Sequence, residues 1–113
     1  MVDLKKHEMT EEDIKRILGG EEEDKLSIVI FYAPWCGACR AFMPIIQDII
    51  NAKPKEAEVL VCNTDGPQRK FVDGLSVRSL PTTVFFKAGD FSSFIEGVYP
   101  SGHILAEAGR FFR

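Results

Sequence analysis

The chain has 113 residues, 45% of them apolar, and a formal net charge of −3. That length suits one domain, and the apolar content is enough to build a core, which excludes a chain disordered throughout. The slight acidity excludes a general nucleic-acid binder, and three cysteines are too few and too odd in number for a scaffold stapled by several disulfides.

Residues 1–25 carry nine acidic and five basic side chains. Such a segment reads as a solvated helix face and loop before it reads as a partner surface. No apolar targeting run opens the chain, and the longest apolar stretch, Ile28 to Trp35, has eight residues. A membrane span needs roughly 18. No membrane association is therefore expected, and the expected location is cytoplasmic. Thr10 is placed to cap a first helix, with Asp13 completing a capping box. Ile14, Ile17 and Leu18 give that helix an apolar stripe, and Gly19-Gly20 ends it.

Leu26–Ala33 is continuous, β-branched and aromatic, the pattern of a buried strand. A helix is expected from Cys36, with Phe42, Ile45, Ile46 and Ile49 at helical spacing and a kink at Pro44. Glu58–Thr64 reads as a second strand and Gln68–Asp73 as a short helix ended by Gly74. Pro81–Lys87 and Phe91–Gly97 form a hairpin around Ala88-Gly89-Asp90. Ser101 is placed to cap a last helix reaching Phe112. Residues around Val2–Leu4 have the pattern of a further short edge strand. The expected fold is α/β: a mixed sheet of four to five strands with helices on both faces, in one domain over residues 1–113. Within it, 1–25 is the acidic helix and loop and 26–113 is the core.

Cys36-Gly37-Ala38-Cys39 falls where a buried strand hands over to a helix. Residues three apart on a helix share a face, so the two sulfurs can approach bonding distance. A helix N-terminus carries unpaired N–H groups that favour a thiolate at Cys36. Gly37 leaves room for an incoming disulfide. A pair so placed can close and reopen by thiol–disulfide exchange. A zinc site would need further ligands, and Cys62, His7 and His103 have no finger-like spacing, so no metal is expected. Cys62 lies in an apolar strand and reads as a small hydrophobe, with a regulatory thiol as the lesser reading.

The run Ala33-Pro34-Trp35-Cys36-Gly37-Ala38-Cys39 resembles the active-site segment of the thioredoxin family. Pro44 is similar to the family's kinking proline, Arg78-Ser79-Leu80-Pro81-Thr82 to its cis-proline stretch, and Gly97 to its glycine near the site. The resemblance covers about residues 26–112. It implies a thioredoxin fold and a protein disulfide reductase with no cofactor of its own. Cys36 would attack a substrate disulfide, and Cys39 would resolve the mixed disulfide, leaving Cys36 bonded to Cys39. Trp35, Leu80, Pro81, Gly97 and Val98 would form an apolar docking surface, with Trp35, Gly37 and Ala38 completing the motif. The implied partners are disulfide-bearing proteins and an NADPH-dependent flavoprotein reductase, and a monomer is the expected state. The chain shows no nucleotide-binding glycine loop, so the nicotinamide would belong to the reductase.

Two positions depart from the family. Ala38 stands where thioredoxins usually carry proline, and a less reducing couple is the expectation. Ile30 stands where the family usually buries an acid, and Val61 where it often has the partner lysine. Cys39 would then lose its proton to water or to the leaving thiolate, and resolution should be slow. Ile30→Asp is expected to speed turnover and to cost stability. Two other functions share these motifs. One is a binding or adaptor module on the same scaffold. The other is a disulfide oxidase or isomerase, since Tyr32-Ala33-Pro34-Trp35 also resembles disulfide-isomerase domains.

Overall fold

The computed structural model describes residues 4–112. A 3₁₀ turn at Lys5–His7 leads into α1 (Glu11–Gly19). Thr10 and Asp13 form the expected capping box, each backbone N–H bonding the other's side chain at 2.8 and 3.1 Å. Gly20 ends the helix in the left-handed region, at φ 68°. A Cβ there would meet the Ala88 carbonyl oxygen at 2.8 Å, so glycine is required both by conformation and by close approach. Of the expected edge strand, Val2 and Asp3 lie outside the described residues, and Leu4 precedes the 3₁₀ turn.

Four strands follow: β1 (Leu26–Tyr32), β2 (Ala57–Asn63), β3 (Thr82–Lys87) and β4 (Asp90–Glu96). They form one sheet in the order β2-β1-β3-β4. β1 pairs parallel with β2 and antiparallel with β3, and β4 adds an antiparallel edge. β1 has a neighbour on each side and helices over each face. Six of its seven residues are buried accordingly, which is why its sequence does not alternate.

α2 (Gly37–Ala52) and α4 (Ser101–Gly109) cover one face. There Phe42, Ile46, Ile49, Ile104 and Ala108 pack on Leu26, Ile28, Ile30, Val59, Val61 and Phe85. α1 and α3 (Arg69–Gly74) cover the other. Ile17 and Val72 pack there with Val29, Phe31, Leu60, Cys62, Val84 and Phe86. Each fully buried side chain of this size contributes about 1.5–3 kcal/mol. Arg16 fastens α1 to the sheet through two bonds to Glu58, at 2.7 and 2.9 Å, so part of the acidic opening is anchored rather than solvated.

α2 runs through Pro44. The last helix differs from expectation. Pro100 occupies the cap position, Ser101 is the first helical residue, and no side chain caps the end. The cap position therefore falls one residue before the predicted one, on a proline whose side chain has no acceptor to offer. After Gly109 the chain tightens into a 3₁₀ turn over Arg110–Phe112.

Thr83 is fully buried, and among the described residues its hydroxyl has no hydrogen-bond partner. Thr83→Val keeps the shape and removes an unpaired polar group. The variant is expected to be more stable by about 1 kcal/mol in urea titration; a loss of stability would mean that the hydroxyl is paired in solution.

Candidate functional site

The end of β1 aims the chain at the N-terminus of α2, and the cysteine pair sits at that junction. Cys36 is the N-cap residue of α2, and its sulfur accepts the Cys39 backbone N–H at 3.2 Å. This is a charge-assisted donor whenever the sulfur is a thiolate. Cys36 also lies 3.8 Å from the Leu80 carbonyl oxygen. Both sulfurs belong to a small cluster with Ala33, against which Tyr32 and Leu80 pack. All three cysteines are free thiols.

The two members of the pair differ. Cys36 is 8% exposed and Cys39 4%, and Gly37 and Ala38 between them are open to solvent. Burial, and then the neighbouring Cys36 sulfur, push the Cys39 thiol up to about 11. Cys62 is on the opposite face of the sheet, fully buried. Burial, and then the charge of Glu8, push its thiol up to about 12. It behaves as the small hydrophobe its strand suggested. Among the described residues, no three His, Cys, Asp or Glu side chains gather closely enough to hold a metal ion.

The residues expected to dock substrate come together around the pair. Trp35 is 67% exposed, and its indole N–H donates to Asp65 at 2.6 Å. The Leu80–Pro81 peptide bond is cis. Gly97 donates its N–H to the Pro81 carbonyl at 2.8 Å and holds φ 101°, a conformation that favours glycine. Leu80 is half-buried and Val98 exposed, whereas Pro81 is buried. The exposed part of this surface is therefore Trp35, Leu80 and Val98, with Tyr99 beside it. Pro81 lies beneath it.

Three nearby residues escaped the sequence reading. Asp65 steadies Trp35, Arg40 donates to the Pro34 carbonyl at 3.2 Å, and Glu8 accepts the Tyr32 hydroxyl at 2.9 Å. Glu8 also accepts the Asn63 N–H at 3.1 Å. Its partners lie 24 and 55 residues away in sequence, so no local pattern announces them.

A dithiol at a strand-to-helix junction, with one sulfur capping the helix and the other buried behind it, defines a thiol–disulfide exchange protein. The thioredoxin family model matches residues 5–109. The chain is 34% identical to thioredoxin 1 of Nostoc sp. over 80 residues, covering 70% of this chain and 73% of that one. It is 30% identical to the thioredoxin of Pyropia yezoensis over 84 residues, covering 74% and 78%. The solved thioredoxin of Fasciola hepatica superposes with a TM-score of 0.76 at 26% identity, covering 88% and 92%. The chain belongs to the thioredoxin family.

Proposed function

We propose that this thioredoxin reduces protein disulfides with Cys36 as the entering nucleophile and Cys39 as the resolving thiol. The observation that carries this assignment is the asymmetry of the pair. Cys36 caps α2 beside Leu80, and Cys39 is the more deeply buried of the two. The Cys36 thiolate attacks one sulfur of the substrate disulfide, and the other substrate sulfur leaves as a thiolate and takes a proton. Cys39 then gives up its proton and attacks Cys36. The mixed disulfide breaks, the second substrate sulfur leaves, and Cys36 and Cys39 are joined. Two electrons have passed from the protein to the substrate.

Trp35, Leu80 and Val98 support substrate docking by apolar contact, and the backbone around Leu80 and Gly97 offers pairing to an extended chain. An NADPH-dependent flavoprotein reductase would restore the dithiol. Within this reading residues 1–113 form one domain that works as a monomer in the cytoplasm. Its couple would be less reducing than an ordinary thioredoxin's, because Ala38 replaces the ring that stiffens the helix start. Among the described residues no helix is long and apolar enough to cross a membrane.

The direct test is insulin disulfide reduction with dithiothreitol as the electron source. Wild type should accelerate precipitation, and Cys36→Ser should fall to the rate of dithiothreitol alone. Equal rates for the two proteins would favour an adaptor role instead.

A further inference from the structure

The resolving step poses a problem that the sheet does not solve. Only a thiolate attacks a disulfide, and Cys39 is buried against Cys36. Ile30 and Val61, at the strand positions where the family usually has an acid and often its partner lysine, are both fully buried and apolar. A proton acceptor other than water or the leaving thiolate would have to come from another element.

A cavity of about 740 Å³ opens behind Cys39. Its walls include Cys39, Arg40, Met43 and Ile46 from α2, Tyr32 from β1 and Glu8 from the segment before α1. Glu8 is the one carboxylate among its described lining residues. Three contacts hold it there. Its backbone bridges to Val61, one carboxylate oxygen accepts the Asn63 N–H, and the other accepts the Tyr32 hydroxyl. An ionised carboxylate has about four acceptor sites, so these bonds leave capacity for a further proton donor. The cavity far exceeds the roughly 30 Å³ a water takes up in the liquid, and Cys39 and Glu8 give that solvent polar partners.

We propose that Glu8 is the proton acceptor for Cys39, working through solvent in this cavity. The inference rests on the reading of Cys39 as the resolving thiol. In the step, the Cys39 proton passes through solvent to the Glu8 carboxylate. The Cys39 electron pair forms the bond to the Cys36 sulfur, and the bond between Cys36 and the substrate breaks. Its electron pair leaves on the substrate sulfur, which takes up a proton from solvent as Glu8 returns its own.

The groups facing Glu8 fit this role. Tyr32 from β1 cannot compete for the proton, because burial and then the bond to Glu8 hold its hydroxyl above the ordinary phenol range. It remains a donor and fixes the carboxylate. Cys62 from β2 stays a neutral thiol for the reasons given above. Arg40 from α2 and Lys5 from the same segment as Glu8 line the cavity and supply positive charge. His7, next in sequence, is engaged with the Val59 carbonyl at 3.3 Å.

The test mixes reduced protein with oxidised glutathione, quenches with acid and follows two species by mass. One is the Cys36–glutathione adduct and the other is the internal disulfide. In Glu8→Gln, adduct formation should stay within about twofold of wild type. Closure of the internal disulfide should slow about tenfold at pH 7, a modest loss for a proton acceptor. The gap should close towards pH 11, where Cys39 ionises without help. Equal closure rates at pH 7, or a slowing that is the same at every pH, would overturn the proposal. If Glu8→Gln does not fold, Tyr32→Phe gives the second reading. Loss of the hydroxyl that positions Glu8 should slow closure at pH 7 and not at pH 11; no slowing at pH 7 would count against the proposal. A wild type that forms the adduct and never closes would instead refute the role given to Cys39.

Discussion

Cys39→Ser is expected to lower turnover with protein disulfides by about a hundredfold or more, and to leave the protein bonded to its substrate. A serine hydroxyl is not ionised at neutral pH and cannot displace a thiolate, so the reaction stops after the first exchange. The fold should tolerate the change, since the side chains are similar in size. The bond from the residue 39 backbone N–H to Cys36 is also independent of the side chain. Non-reducing electrophoresis and mass analysis should then show a mixed disulfide through Cys36. Cys62 cannot substitute for the missing thiol, because it lies across the sheet in the other packed cluster. Turnover near the wild-type rate, or trapping through Cys62, would refute the assigned roles.

Ile30→Asp should be the most costly single change in stability, about 4 kcal/mol at neutral pH. Truncating a buried isoleucine costs roughly 2–5 kcal/mol, and a buried carboxylate without a charged partner adds to that. Ile30 is fully buried and sits opposite Thr83 on β3. The Thr83 hydroxyl, unpaired among the described residues, is a neutral polar group that could soften the cost. Burial would raise the new carboxyl above its unfolded value of about 3.9, so the folded form binds the proton more tightly. The deficit should therefore be smallest below about pH 4 and grow as pH rises through the raised folded value. Denaturant titrations at pH 4 and pH 7 would show this; a variant as stable as wild type at pH 7 would refute it. Turnover per folded molecule is expected to rise, because a second acceptor would then serve the face of the sheet under α2.

Local signals in the sequence located most of the fold. The Thr10–Asp13 box, the apolar run from Ile28 in β1 and the turn at Gly89 each depend on neighbours in the chain. The site was legible for the same reason, since Trp35, Cys36, Gly37, Ala38 and Cys39 are contiguous. What stayed hidden was made by tertiary contact. Trp35 meets Asp65 across 30 residues. Arg16 joins Glu58 across 42, which ties down a helix whose charge suggested only a solvated face. Glu8 belongs to that same acidic stretch, and nothing around it in sequence separates a carboxylate bonded to Tyr32 and Asn63 from the exposed carboxylates of Glu11 and Glu12. Ser101 shows the opposite error, a sound local rule displaced by the proline before it.

The central claim is that Cys36 and Cys39 act as one two-electron couple while Cys62 stands aside. Equilibration in glutathione buffers, followed by alkylation and mass analysis of each cysteine, tests it most directly. Cys36 and Cys39 should lose their thiols together along a single two-electron curve, at a less reducing potential than an ordinary thioredoxin's, and Cys62 should keep its thiol throughout. Separate curves for Cys36 and Cys39, each ending as a glutathione adduct, would contradict the account.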